Sequence, residues 1–223
     1  MAIPQRLTRE LVALRVAQEL KDGMYVNLGF GLPTLVSNFL PPDADVVLHA
    51  EQGILGYGAL VPDEPDWDID LVNAGGQPIT MKPGGSFTDL ATSFIMVRGG
   101  HLDVCVLGAF QVSEKGDLAN WQRRQEKVGG IGGAMELAMG AKRVIVAMEH
   151  TTPSGELRIV KRCSYPLTAR EAVHTIVTDL AYIEVQPHGL VLKETAPGVS
   201  PDDVQEVTEP RLIISPELKE MEL

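Results

Sequence analysis

Met24-Tyr25-Val26-Asn27-Leu28-Gly29-Phe30-Gly31-Leu32-Pro33, with the helix and strand on its C-terminal side, decides how this chain folds. Residues 24–28 are apolar and rich in residues that favour extended backbone, so they read as a strand. The strand runs into a tight glycine turn at Gly29-Phe30-Gly31. Thr34 to Leu40 then reads as a short helix, stopped by Pro41-Pro42. Asp45-Val46-Val47-Leu48-His49 is a second strand. Strand, turn, helix and strand in this order specify an α/β fold with an open, largely parallel sheet flanked by helices.

The second strand delivers a carboxylate. Glu51 comes directly after it, in His49-Ala50-Glu51-Gln52-Gly53-Ile54-Leu55-Gly56-Tyr57-Gly58. A carboxylate at a strand end, among glycines with almost no side-chain cover, is placed to meet a substrate. The plainer alternative is a solvated Glu ahead of a turn. Two more glycine-rich segments adjoin apolar strands: Gly29-Phe30-Gly31, and Gly129-Gly130-Ile131-Gly132-Gly133-Ala134. Strand ends of one polarity in a parallel sheet converge on one crevice. The second segment lacks GxGxxG spacing and no strand directly precedes it, which argues against a dinucleotide loop.

Towards the N-terminus, Thr8 to Lys21 has Leu11, Leu14, Ala17 and Leu20 at helical spacing, with Thr8 as cap and Gly23 beyond the end. Pro62 to Asp70 is an acidic loop. Residues 70–76 read as a short strand and turn, 77–81 as a strand and 88–97 as a helix. Residues 101–109 read as a strand, 129–139 as a glycine turn leading into a helix and 142–148 as the strongest strand. A helical pattern returns at 169–175. Tyr182 to Val185 and Leu190 to Lys193 flank Gln186-Pro187-His188-Gly189 as a hairpin. One domain over 1–223, with a small C-terminal decoration, is the simplest organisation.

The bulk properties exclude several classes. The chain has 223 residues, 44% hydrophobic and 22% charged, an ordinary globular composition. No apolar run approaches the roughly 18 residues of a membrane span, and residues 1–6 lack a signal-peptide core. A cytoplasmic location is the expectation. A net charge of -11 and only 5% aromatic residues argue against nucleic acid. The short basic pair Arg123-Arg124 is followed by Glu126 and reads as a solvated loop. Cys105 and Cys163 read as structural free thiols. The five His residues show no metal-ligand spacing, so no metal is expected.

The chain resembles the β subunit of the family I (3-oxoacid) CoA-transferases over nearly its whole length. Nine segments carry the resemblance, in order: Val26 to Thr34, Glu51 to Gly56, Asn73-Ala74-Gly75, Arg98 to Asp103, Gly108 to Ser113, Gly116 to Trp121, Gly132 to Leu137, Met148-Glu149-His150 and Tyr165 to Thr168. The resemblance implies that Glu51 is a nucleophile carrying CoA as a glutamyl thioester. It implies that the N–H groups of Gly133 and Ala134 stabilise the thioester and its oxyanions. It places Asn27, Gly29, Gly31, Gly53 and Asn73 around CoA. Each of these has a plain structural alternative, as a turn or helix-start residue. Coenzyme A is then substrate and covalent intermediate, with no resident cofactor. The implied partner is an α subunit, in an αβ or α2β2 assembly, and the implied substrates are succinyl-CoA and a 3-oxoacid. An acetate- or butyrate-type transferase, a CoA-ester hydrolase and a non-catalytic isomerase-like domain are the alternatives. His101 and His150 are expected to be structural, since carboxylate chemistry needs no general base. Gln52 stands where the family usually has Asn, and Gly76 where many members have Lys. Gln122 to Val128 lacks the usual Pro-Gly pair.

Overall fold

The computed structural model describes residues 6–61, 67–123 and 130–223. α1 (Arg9–Ala17) leads into β1 (Tyr25–Leu28), a 3-10 helix (Leu32–Phe39), β2 (Val47–Ala50), β3 (Ile54–Leu60) and β4 (Ile79–Phe87). Then come α2 (Leu90–Arg98), β5 (Val104–Leu107), β6 (Gln111–Ser113), β7 (Leu118–Ala119), α3 (Ala134–Gly140) and β8 (Arg143–Ala147). The chain ends with β9 (Ile159–Val160), β10 (Thr175–Val177), β11 (Ala181–Gln186), β12 (Gly189–Thr195), α4 (Pro201–Glu206) and β13 (Ile213–Glu220).

Ten of the strands form one sheet, in the order β13-β12-β11-β10-β8-β5-β1-β2-β3-β4. Its centre, β10-β8-β5-β1-β2, is wholly parallel. These strands are short and buried on both faces, which is why they read as continuous apolar runs. On one face α1 and the 3-10 helix bury Val12, Val16 and Val36 against Val26, Leu28, Leu48 and Val106. On the other, α2 and α3 bury Val97, Leu137 and Ala138 among Cys105, Leu107, Val144 and Val146. Each fully buried large aliphatic side chain contributes about 1.5–3 kcal/mol. Capping follows the sequence: the side chains of Thr8 and Asp89 accept from the Leu11 and Thr92 N–H groups and start α1 and α2. The antiparallel β11–β12 hairpin closes through Pro187-His188, as its sequence predicts.

One expectation is corrected and two strands go beyond the sequence reading. Residues 169–175 form no helix. The N–H groups of Ala172 and Val173 donate to the Gly116 carbonyl, Leu118 N–H donates to the Ala169 carbonyl, and the segment anneals onto the β6–β7 hairpin instead. Ala172 and Val173 are buried there, so their apolar spacing reports burial rather than helix. After a turn at 51–53, the glycine-containing stretch that the sequence leaves unassigned forms β3 from Ile54. Its register shifts against both neighbours absorb the glycines. The strand expected over 77–81 runs on through Pro83, Gly84 and Gly85 to Phe87, along a sheet edge where a missing N–H is tolerated. The acidic loop and the basic pair lie partly outside the described residues, at 62–66 and 124–129.

A buried ion network ties α1 to the C-terminal strands. Arg15 donates through Nε and Nη2 to the two carboxylate oxygens of Glu194, at 2.7 and 3.0 Å, and through Nη1 to Glu19 at 2.9 Å. Its guanidinium carbon lies 4.5 Å from the Tyr182 ring centroid. Arg143 also donates to Glu19. Burial opposes ionisation of Glu19, but Arg15 and Arg143 outweigh it and hold its pKa below the ordinary value. Removing one partner from a buried pair costs about 3–5 kcal/mol, because the other charge stays buried. Arg15→Met is therefore expected to lose that much stability in urea denaturation at neutral pH. A folded pKa depressed below the unfolded one contributes stability above the unfolded value, and this is lost as pH falls through the folded one. The gap between wild type and Arg15→Met should accordingly close below about pH 4. A pH-independent gap would mean that packing against Tyr182, not charge, sets the effect.

Candidate active site

The site grows from strand register. β1 and β2 are parallel with Asn27 opposite His49, and β1 and β5 are parallel with Asn27 opposite Cys105. Three polar side chains therefore lie in one row across adjacent strands, on the face covered by α2 and α3. All three are buried. Glu51 is two residues beyond His49, and the period of two brings it to that same face at the strand's C-terminal end.

The row converges on Glu51. Asn27 Nδ2 donates to the Glu51 carboxylate at 3.3 Å. The same nitrogen lies 3.1 Å from His49 Nδ1 and 3.1 Å from the His49 carbonyl oxygen. Cys105 Sγ donates to Asn27 Oδ1 at 3.8 Å. His49 Nε2 lies 2.8 Å from Ser93 Oγ on α2. Burial pushes the His49 pKa down to about 4, so the ring is neutral near pH 7. Burial, reinforced by the Glu51 charge, pushes the Cys105 and Tyr57 pKa values up. Cys105 thus stays a thiol that can donate, and it is no nucleophile.

Gly133 closes the site from α3. A Cβ there would stand 2.9 Å from Phe94 Cζ and 3.5 Å from Glu51 Cγ. Ala134 begins α3, a short helix with no side-chain cap, whose start faces this crevice. Gly129, in the same segment, lies outside the described residues.

The remaining glycines named from sequence are fixed by backbone needs. Gly53 has φ +119°, and a Cβ there would collide with the Thr88 carbonyl oxygen. Its own carbonyl accepts from Thr88 N–H at 2.8 Å, which anchors the β4–α2 connection under Glu51. Gly29 packs against Leu107 and the Val106 carbonyl, and Gly31 has φ +91°. Asn73 is buried and builds its own loop: Oδ1 accepts from the N–H groups of Gly75 and Gln77, and Nδ2 donates to Gln77 Oε1. That loop touches the exposed Phe30, since a Cβ on Gly75 would meet the Phe30 ring at 3.1 Å.

Gln52 uses its extra methylene. Its Nε2 donates to the Val72 carbonyl at 2.6 Å and ties the Glu51 turn to the Asn73 loop. Gly76, with φ +71°, is an exposed turn residue. His150 lies away from the row, buried between Thr178 Oγ1 at 2.8 Å and Thr208 Oγ1 at 2.9 Å. Sequence reasoning missed His49 and Ser93. The available signal was the register, which sets His49 beside Asn27. A cleft of about 350 Å3 bounded by Phe110, Gln111, Arg158 and Tyr165 does not include Glu51. Among the described residues no three His, Cys, Asp or Glu side chains group as metal ligands, and no helix is long and apolar enough to cross a membrane.

The fold is α/β, with one carboxylate presented at the end of a parallel strand beside a helix that starts at glycine. The coenzyme A transferase family model matches residues 9–207, and the chain belongs to that family as a CoA-transferase β subunit. It is 50% identical over 201 residues to the B subunit of the succinyl-CoA:3-ketoacid coenzyme A transferase of Helicobacter pylori, covering 90% of this chain and 96% of the relative. It is 47% identical over 209 residues to the B subunit of the 3-oxoadipate CoA-transferase of Acinetobacter baylyi, covering 93% and 96%. The fold is shared with an acyl-CoA transferase apoenzyme from Escherichia coli O157:H7, at TM-score 0.78 and 22% identity. That match covers 100% of this chain and 44% of the other.

Gly53→Ala should test the turn under Glu51. The substitution forces a positive φ on a residue with a Cβ and drives that Cβ into a carbonyl. A loss of more than about 1 kcal/mol, with activity falling in parallel, is the expected outcome. Wild-type melting and turnover would show that the Thr88 carbonyl moves aside freely.

Proposed function

We propose that Glu51 is the covalent nucleophile of a CoA transfer that proceeds through a glutamyl-CoA thioester. The observation that carries this reading is the Glu51 carboxylate at the C-terminal end of β2, held by the Asn27 amide and faced by Gly133. The ionised carboxylate attacks the thioester carbonyl of an acyl-CoA and expels the CoA thiolate, leaving a mixed anhydride. The thiolate attacks the Glu51 carbonyl carbon and expels the first acid, leaving glutamyl-CoA. The acceptor carboxylate repeats these two steps in reverse and frees Glu51. The expelled CoA thiolate is reused as a nucleophile, and both acids enter and leave as carboxylates, so no proton acceptor, metal or resident cofactor is needed.

Each step passes through a tetrahedral oxyanion. The N–H groups of Gly133 and Ala134 are assigned to it, and losing one such donor typically costs about 10²–10³ in rate. CoA is assigned to the wall formed by the Gly29 to Gly31 turn and the Asn73 to Gly75 loop, which meet at Phe30. Gly53 shapes the floor. Asn27 is reassigned in part: its buried amide is directed at Glu51, and CoA would reach it only across that carboxylate.

The acting unit is proposed to be a single domain paired with an α subunit, as αβ or α2β2, in the cytoplasm. Phe30, Phe87 and Leu90 are exposed apolar side chains around the Glu51 crevice, which supports a site completed by another chain. The 3-oxoadipate, succinyl-CoA:3-ketoacid and acetate CoA-transferase relatives are each B or beta subunits, which supports the same reading.

Two experiments test this. The co-expressed pair, given acyl-CoA without acceptor, should gain the mass of one CoA on this chain, and borohydride should trap the adduct at Glu51. Glu51→Ala should abolish transfer, and Glu51→Asp should be severely impaired because a carboxylate one methylene short cannot reach attack geometry. An unmodified Glu51 during turnover would sink the mechanism. For substrate, the proposal is succinyl-CoA as donor and a 3-oxoacid as acceptor. A panel of acids should give 3-oxoacids the highest kcat/KM. A simple fatty acid favoured tenfold, about 1.4 kcal/mol of transition-state preference, would overturn that choice and leave Glu51 untouched.

A further inference from the structure

We propose that His49, held by Ser93 on α2, is a positioning residue for the nucleophile: it fixes the Asn27 carboxamide so that its N–H is aimed at Glu51, with Cys105 holding the opposite end of the amide. The proposal rests on the reading of Glu51 as nucleophile and adds three residues to that site.

Donors and acceptors around Asn27 fix the direction of its amide. Asn27 Nδ2 faces three atoms at 3.1–3.3 Å: the His49 carbonyl oxygen, His49 Nδ1 and Glu51 Oε2. Two of these, the carbonyl and the carboxylate, only accept. Turning the amide over would set the Asn27 oxygen against both, inside a buried row where an unpaired polar contact costs about 1–3 kcal/mol. Cys105 adds to the preference, since its thiol is a donor and meets the Asn27 oxygen. With the nitrogen toward Glu51, His49 Nδ1 must accept. A neutral imidazole that accepts at Nδ1 carries its proton on Nε2. Nε2 lies 2.8 Å from Ser93 Oγ, which then accepts. Cys105, Asn27, His49 and Ser93 thus form one directional chain, its direction set by the two acceptor-only groups at the Asn27 nitrogen.

The Glu51 contact is the longest of the three at Asn27. Two of the three contacts at the Asn27 nitrogen come from His49, which thereby fixes the amide that meets Glu51. Catalytic hydrogen bonds that are long in the free enzyme commonly shorten once substrate is bound. A gripped Asn27 needs no reorientation when charge moves from the carboxylate to the glutamyl carbonyl oxygen. Nothing in the chemistry asks His49 to take a proton, and its neutral state suits holding rather than transferring one.

The test uses the co-expressed complex and follows single-turnover formation of the Glu51–CoA adduct by quenched-flow mass spectrometry, with rate constant and final loaded fraction read separately. His49→Ala should lower the rate constant about 10–100-fold, the scale set by a misplacement near 1 Å. KM for acyl-CoA should stay within about twofold, and His49→Gln, which restores an acceptor, should recover part of the rate. Ser93→Ala replaces a helix residue by the best helix former and spares the fold. It should lower the same rate constant severalfold. Nitrogen NMR of the wild-type complex should show His49 protonated at Nε2 and bare at Nδ1. Variants that load a smaller fraction at the wild-type rate constant would reduce His49 and Ser93 to packing and overturn the proposal. So would the opposite tautomer. No adduct on wild-type Glu51 would instead defeat the nucleophile reading, and the positioning role with it.

Discussion

The structure depends on a buried amide in the middle of an apolar sheet. Asn27 sits on β1, the strand between β5 and β2, with valine and leucine on either side of it. An amide transferred to such a place without partners costs several kcal/mol. It is tolerated because the neighbours in register, Cys105 and His49, satisfy its oxygen and nitrogen. The parallel pairing therefore does two jobs. It stacks Val26, Leu28, Val104 and Val106 toward α1 and the 3-10 helix, and it lines up the three polar residues on the opposite face. A one-residue slip of β1 would exchange the two faces. It would bury Asn27 under α1 and leave Glu51 without its donor. Register and the placement of Glu51 are one constraint.

Close approach is the second requirement, and it explains where glycine is indispensable. Gly53 lets the chain turn from β2 into β3 directly beneath Glu51 while binding the Thr88 backbone. Gly133 lets the start of α3 come within contact of Phe94 and Glu51. A side chain at either place would force apart the elements packed around Glu51. The Glu51 turn is kept in place by Gln52, whose amide reaches the Val72 carbonyl. The departure from the usual Asn at this position is thus accommodated through a contact between loops, without disturbing the carboxylate next to it.

Much of this was legible in the sequence, for identifiable reasons. β1, β2, β5 and β8 announce themselves because both faces are buried, so the apolar run is continuous. Glu51 stands out because a charged residue comes straight after such a run and glycines come after it. The 169–175 segment misled because Ala172 and Val173 are apolar at a spacing that also fits annealing on β7. β3 was hidden by Gly56 and Gly58, which bulged pairing to β2 and β4 absorbs. β13 was hidden because the burial of its alternate residues is slight, as befits an edge strand. His49 and Ser93 were hidden for a deeper reason. A hydrogen-bonded row exists only across strands, and no periodicity along one strand encodes it.

In the proposed mechanism the intermediate keeps CoA and loses the acyl group. The geometry around Glu51 must therefore serve two different acids in succession while holding one constant thioester. That favours a nucleophile fixed by the protein's own amide row rather than by contacts to the acid. It also fits relatives of similar identity that carry different acids in their names: 3-oxoadipate, 3-ketoacid and acetate. A hydrophobic pocket distinguishes one methylene by only about 1–3 kcal/mol, so under that mechanism small changes around the crevice would suffice to sort acids. Displacing Glu51 itself would slow every acid alike. The two properties are separable in the proposed mechanism: the row Cys105–Asn27–His49–Ser93 would bear on how fast any acid reacts, and groups outside that row would bear on which acid is chosen.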